Sequence, residues 1–166
     1  TQLIFVVSQY TSIPGYEGKH HVSSAFVYDI ESKKIRQLVV PGKGVYDGQT
    51  RLGRVIGISP DKEHVYMPLY VQRGRSRAVY SVTKVALNKK RVPQTIALGT
   101  PDTIDYFMDK NGEVLARERY NNDSNLHSVE KYVDGDWVEV FSENVPLRVR
   151  SYVGVTEDRK SLVSLA

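Results

Sequence analysis

Arg54–Tyr70, RVIGISPDKEHVYMPLY, carries two short apolar runs on either side of a tight turn. Val55, Ile56 and Ile58 make the first run; Val65, Tyr66, Met67, Leu69 and Tyr70 make the second. β-Branched and aromatic residues dominate both, so each run predicts a strand, and Ser59-Pro60-Asp61-Lys62-Glu63 predicts the turn between them. Pro68 falls inside the second run. It removes a ladder donor there and predicts a bulge.

The same unit recurs downstream. TIDYFM (103–108) and EVLARERY (113–120) flank Asp109-Lys110-Asn111-Gly112, with Asn-Gly a strong hairpin signal. The residues 148–155 and 161–165 flank Thr156–Lys160 in the same way. Asp61, Asp109 and Asp158 lie 48 and 49 residues apart. Between successive turns come a long strand such as AVYSVTKVAL (78–87), a shorter one such as PQTIAL (93–98), and the first strand of the next unit. Four strands in a span of about 40 to 50 residues match a β-propeller blade. An immunoglobulin-like sandwich accounts for many short strands but not for a turn that recurs at this interval.

The predicted fold is therefore all-β, a partial β-propeller. Two complete four-stranded antiparallel blades, about 54–98 and 103–141, are flanked by two incomplete blades, about 3–40 and 148–165, in a single propeller fragment spanning 1–166. Closed propellers have roughly four to eight blades, so these residues are expected to belong to a larger ring. Incomplete blades leave open sheet edges, an expected route to self-association. Thr11–Val22, Pro41–Leu52 and Gln72–Arg77 read as loops from their glycines and prolines or basic polar composition.

Composition bounds the chemistry. With 166 residues, 40% hydrophobic and 25% charged, the chain is long enough to bury a core. The net charge of +4 is spread among interleaved acids and bases, which argues against a nucleic-acid surface. The absence of cysteine removes disulfides, thiolate zinc sites and thiol nucleophiles. No apolar run approaches the roughly 18 residues of a membrane-spanning helix, so no membrane partner is expected.

Few residues invite a functional reading. Arg73, Arg75 and Arg77 on a hairpin loop could grip a carboxylate or phosphate through their guanidinium forks, or form a solvated tip. His20-His21 could line a pocket at the propeller mouth. A shared metal is geometrically awkward, because adjacent residues of an extended segment point to opposite faces. His64 and His127 sit at a turn and a strand end, without a nucleophile motif beside them. Gly42-Lys43-Gly44 lacks the following Gly-Lys-Ser/Thr and helix of a phosphate loop. Asp134-Gly135-Asp136 lacks the rest of a calcium loop and reads as a hairpin turn. No catalytic, cofactor or metal residues are expected in the chain.

Several stretches resemble the N-terminal β-propeller of the prolyl oligopeptidase family of serine peptidases, in its bacterial acylaminoacyl-peptidase-like and dipeptidyl-peptidase-like branch. They are VYDIESKKIRQLV (27–39), GQTRLGRVIGISPD (48–61), YSVTKVAL (80–87), DYFMDKNGEVLARERYN (105–121), and DWVEVF with PLRVRSYVGVTEDRKSLV (136–141 and 146–163). The resemblance implies a non-catalytic lid. Such a propeller gates the access of short peptides to an α/β-hydrolase domain of the same polypeptide, whose nucleophile sits in a G-x-S-x-G elbow. No such elbow occurs here, so no triad residue carries over. On this reading Arg73, Arg75, Arg77, His20 and His21 are candidates for substrate steering or for the interface with the hydrolase. The alternative is a stand-alone propeller scaffold for protein–protein interaction. Export is common among bacterial members of this branch, which points to the periplasm, with the cytoplasm as the alternative.

Overall fold

Fourteen β-strands and no helix make up the described part of the chain. The computed structural model describes residues 1–13, 15–72, 74–109, 111–148, 150–158 and 161–165. The strands fall into two compact units, Thr1–Leu98 and Gly99–Ala166.

In the first unit β1 (Gln2–Ser12), β2 (Lys19–Asp29) and β3 (Lys34–Gln37) form an antiparallel meander, and β4 (Arg51–Leu52) adds a short parallel pairing to β2. A second sheet follows in the order β5 (Gly57–Ile58), β6 (His64–Val71), β7 (Val79–Ala86), β8 (Gln94–Ala97). Its antiparallel four-strand sequence is the one read from Arg54–Leu98. The two sheets share a core in which Ala25, Val27, Leu38 and Val39 meet Val65, Met67, Leu69, Val85 and Leu87. In the second unit β9 (Thr103–Met108), β10 (Val114–Asn121), β11 (Leu126–Val133) and β12 (Asp136–Asn144) form another four-stranded antiparallel meander. β13 (Ser151–Val155) and β14 (Leu162–Leu165) make a two-stranded sheet. Phe107, Ala116 and Val129 of the meander pack with Tyr152, Val155 and Leu162 of this pair.

The recurring turn is real, but its register differs from the sequence spacing. Ser59, Asp109 and Thr156 each donate their backbone N–H across the turn, to His64, Glu113 and Ser161 carbonyls respectively. The Ser59 and Thr156 hydroxyls accept the N–H of His64 and Ser161, and the Asp109 carboxylate accepts that of Glu113. Asp109 therefore stands where Ser59 and Thr156 stand, not where Asp61 and Asp158 do. The intervals are 50 and 47 residues. Asp61 and Asp158 brace their turns by accepting the hydroxyl hydrogen of Ser59 and Thr156. That bond and the N–H of Glu63 hold the Asp61 carboxyl below its ordinary value.

Two local expectations need correction. Pro68 makes no bulge: β6 and β7 pair without interruption from His64↔Ala86 to Val71↔Val79. The neighbouring even residues turn their backbone groups away from β7. The Tyr66 carbonyl accepts from Ile56, and the Tyr70 N–H donates to Gln49 Oε1. Pro68 shares that phase, so its missing N–H faces a side where β5 has already ended. The loop expected at Thr11–Val22 is shorter than that, because β1 and β2 stay paired through Ser12↔Lys19.

β1 is an edge strand. Its sequence QLIFVVSQYTS has no charge and no proline, and its eleven pairs with β2 run without a register shift. Leu3, Phe5 and Val7 are exposed on the face opposite the core. These are the features that make a sheet edge receptive to another strand.

Candidate functional site

Loops gather at one end of the first unit. The β1–β2 hairpin brings Tyr16 to the 42–49 connection, where its hydroxyl lies 3.2 Å from that of Tyr46. This hydrogen bond pushes the Tyr16 phenol above its ordinary value. Gly48 leaves room for the contact: a Cβ there would fall 1.9 Å from the Tyr16 oxygen. Backbone bonds Tyr46 N→Tyr70 O and Gln72 N→Gly44 O, both 2.9 Å, tie the connection to the end of β6 and the loop after it. Gln72 Nε2 reaches Ser76 O at 2.9 Å and fastens that loop. Arg75 and Arg77 stand exposed on it. Arg73 lies outside the described residues.

His20 and His21 lie on β2 and not in a loop, a correction that follows from the extended β1–β2 pairing. Their side chains diverge as adjacent strand residues must. His20 Nε2 lies 2.9 Å from Glu17 O, with its ring edge-on to Tyr16 at 6.4 Å. His21 packs against its cross-strand partner Tyr10 at 4.9 Å. The end of this unit thus presents Tyr10, Tyr16, His21, Arg75 and Arg77 to solvent, a surface of aromatic rings and cationic forks. Such groups suit peptide or carboxylate contacts. Gly42-Lys43-Gly44 forms a tight turn closed by the Gly42↔Val45 bridge, with positive φ at all three residues.

The second unit holds a charged network that the sequence reading passed over. On one face of β10–β12, His127 is fully buried between two carboxylates. Its Nε2 lies 2.8 Å from Glu118 Oε1 and its Nδ1 3.0 Å from Glu143 Oε1. Both ring nitrogens are therefore committed, which leaves none to serve as a general base. Arg148 Nη1 also reaches Glu118, at 2.9 Å. Tyr120, Phe141 and Tyr152 rings surround the imidazole at about 6 Å.

On the opposite face Arg117 donates to Glu130 at 2.5 Å and stacks over Trp137 at 4.2 Å. Arg119 bridges Glu130, at 2.6 Å, and Asp102, at 2.6 and 3.0 Å. Burial alone would raise the Asp102 carboxyl. The hydrogen bonds from Arg119 and Thr100, with the Arg119 charge, outweigh it and hold the group below its ordinary value. The signal was present in the sequence: Arg117-Glu118-Arg119 puts three charges in the middle of a strand flanked on both sides, and such charges need partners.

Asp61, Glu63 and His64 bring ligand-type atoms within 4.8 Å of one another. Asp61 is already engaged by Ser59 and the Glu63 N–H, so the group reads as turn bracing. No family model matches the chain, and neither a curated protein nor a solved structure matches it.

Proposed function

We propose that the chain is a segment of a β-propeller belonging to a serine peptidase of the prolyl oligopeptidase type, where it acts as lid and size filter without itself carrying catalysis. The observation that supports this most is the pair of consecutive four-stranded antiparallel meanders, β5–β8 and β9–β12, each with the same kind of braced turn between its first two strands. On this reading each meander is a blade, and the sheets β1–β3 and β13–β14 are parts of two more. The turns at Ser59, Asp109 and Thr156 are then equivalent a–b hairpins.

The proposed mechanism is selection by access. Blades buried against one another make a stiff wall, and a narrow passage through it admits extended oligopeptides while excluding folded proteins. The exposed Tyr10, Tyr16, His21, Arg75 and Arg77 at the end of the first unit suit the steering of peptide carboxylates towards such a passage. The catalytic serine, with its acid and histidine, belongs to an α/β-hydrolase domain encoded elsewhere in the same gene.

Reading the native gene beyond the codon for Ala166 tests the assignment. An α/β domain with a G-x-S-x-G elbow after a strand is the expected result. A gene that completes a propeller and encodes no hydrolase would leave the interaction scaffold as the function and remove the peptidase reading.

A further inference from the structure

Between the β9–β12 meander and the β13–β14 pair lies a cavity of about 330 Å³ that the lid function does not use. Its wall is largely apolar, with Leu115, Val129, Phe141 and Tyr152 contributing, and two cationic side chains, Lys131 and Arg150, also line it. The size sits at the lower end of small-molecule sites, which are mostly apolar with a few placed polar groups.

Among the described residues Arg150 lacks a full set of partners. The two carboxylates on this face, Glu118 and Glu143, both lie within hydrogen-bond distance of a His127 ring nitrogen, and Glu118 accepts from Arg148 as well. Arg150 Nε stays 3.6 Å from Glu143 Oε1, beyond hydrogen-bond distance. Its Nη1 reaches the Ser164 hydroxyl, at 3.3 Å, and its guanidinium lies 5.1 Å over the Phe141 ring. The Nε atom is buried and has no hydrogen-bond partner among the described residues. A buried donor on a charged group is costly to leave unpaired, and an anion in the cavity removes that cost. A carboxylate matches a guanidinium fork bidentately.

We propose that this cavity binds a monocarboxylate with an unbranched apolar tail, the carboxylate on Arg150 and Lys131 and the tail among Leu115, Val129, Phe141 and Tyr152. The largely apolar wall favours an acyl chain over a peptide, whose amides would be left without partners there. The site does not rest on the peptidase assignment, since it needs only the second unit's own residues.

Calorimetric titration of the full chain with octanoate, octanol and N-acetyl-leucine, which keeps a free carboxylate beside an amide, tests this. Octanoate is expected to bind saturably at one site, at least tenfold tighter than either of the others. Arg150→Met is expected to weaken octanoate at least tenfold and leave octanol unchanged, and Val129→Phe, which fills the cavity, is expected to abolish both. The octanoate-to-octanol ratio on the unaltered chain needs no variant, so it decides the matter even where a substitution prevents folding. No saturable octanoate binding, equal binding of octanol, tighter binding of N-acetyl-leucine, or an Arg150→Met variant that binds octanoate normally would each overturn the assignment.

Discussion

Replacing His127 by leucine is expected to destabilise the chain by about 2–3 kcal/mol, the upper part of the range for leaving buried hydrogen-bonding groups without their partner. The ring is fully buried, and Glu118 beside it is almost as inaccessible. With the imidazole gone, Glu118 keeps Arg148, but among the described residues Glu143 keeps only the Arg150 guanidinium at 3.6 Å. Leucine fills much of the space and supplies no donor, so the loss comes from desolvated charge more than from a void. Urea unfolding is the measurement: the midpoint should fall while the slope stays constant. The companion change Glu143→Leu, made together with His127→Leu, should recover part of the loss, because it removes the stranded carboxylate as well as its partner. A single-variant loss below about 1 kcal/mol would mean that the carboxylates find water or other donors, contrary to the buried clamp described.

Arg119→Met should cost about 2–3 kcal/mol at neutral pH, less than a fully buried pair because the guanidinium is partly exposed. Arg119 is the only described residue that joins Asp102, ahead of β9, to Glu130 on β11. Its loss unties the edge of the sheet from its interior, although Glu130 retains Arg117. The pH dependence gives a second signature. The Asp102 carboxyl is held below its ordinary value, so its ionised form favours the folded chain above the unfolded-state value of about 3.9. That contribution disappears as pH falls through the depressed folded-state value. The gap in stability between the unaltered chain and Arg119→Met should therefore narrow as pH is lowered from 5 towards 2. A gap that stays constant over this range would show that Asp102 draws its stabilisation from elsewhere.

The sequence was most legible where side-chain pattern and turn chemistry agreed. TIDYFM becomes β9 with the expected bounds, and Asp134-Gly135 closes its own hairpin with both residues at positive φ. It was less legible where pairing alone decides. Thr11, Ser12 and Lys19–Val22 flank a proline and two glycines and look like loop, but each end extends a ladder already started by its neighbours. Val55 and Ile56 look like strand, yet Val55 serves the core and the ladder begins only at Gly57. Pro68 could not be placed without knowing which side of β6 still had a partner. The turn register was misread because a carboxylate and a hydroxyl do the same work: Asp109 in the second unit replaces Ser59 and Thr156. His127 was missed for a related reason. Its partners Glu118 and Glu143 are nine and sixteen residues away in sequence, and only the cross-strand register brings them to one face.

The central claim is that this chain guards a serine nucleophile located outside residues 1–166. The most direct measurement treats the complete polypeptide encoded by the native gene with a fluorophosphonate probe and assays its turnover of a tetrapeptide beside that of a folded protein. One labelled serine beyond Ala166, cleavage of the tetrapeptide and no cleavage of the folded protein are expected. A polypeptide with no labelled serine and no peptide turnover, or one whose labelled serine lies within these 166 residues, would contradict it.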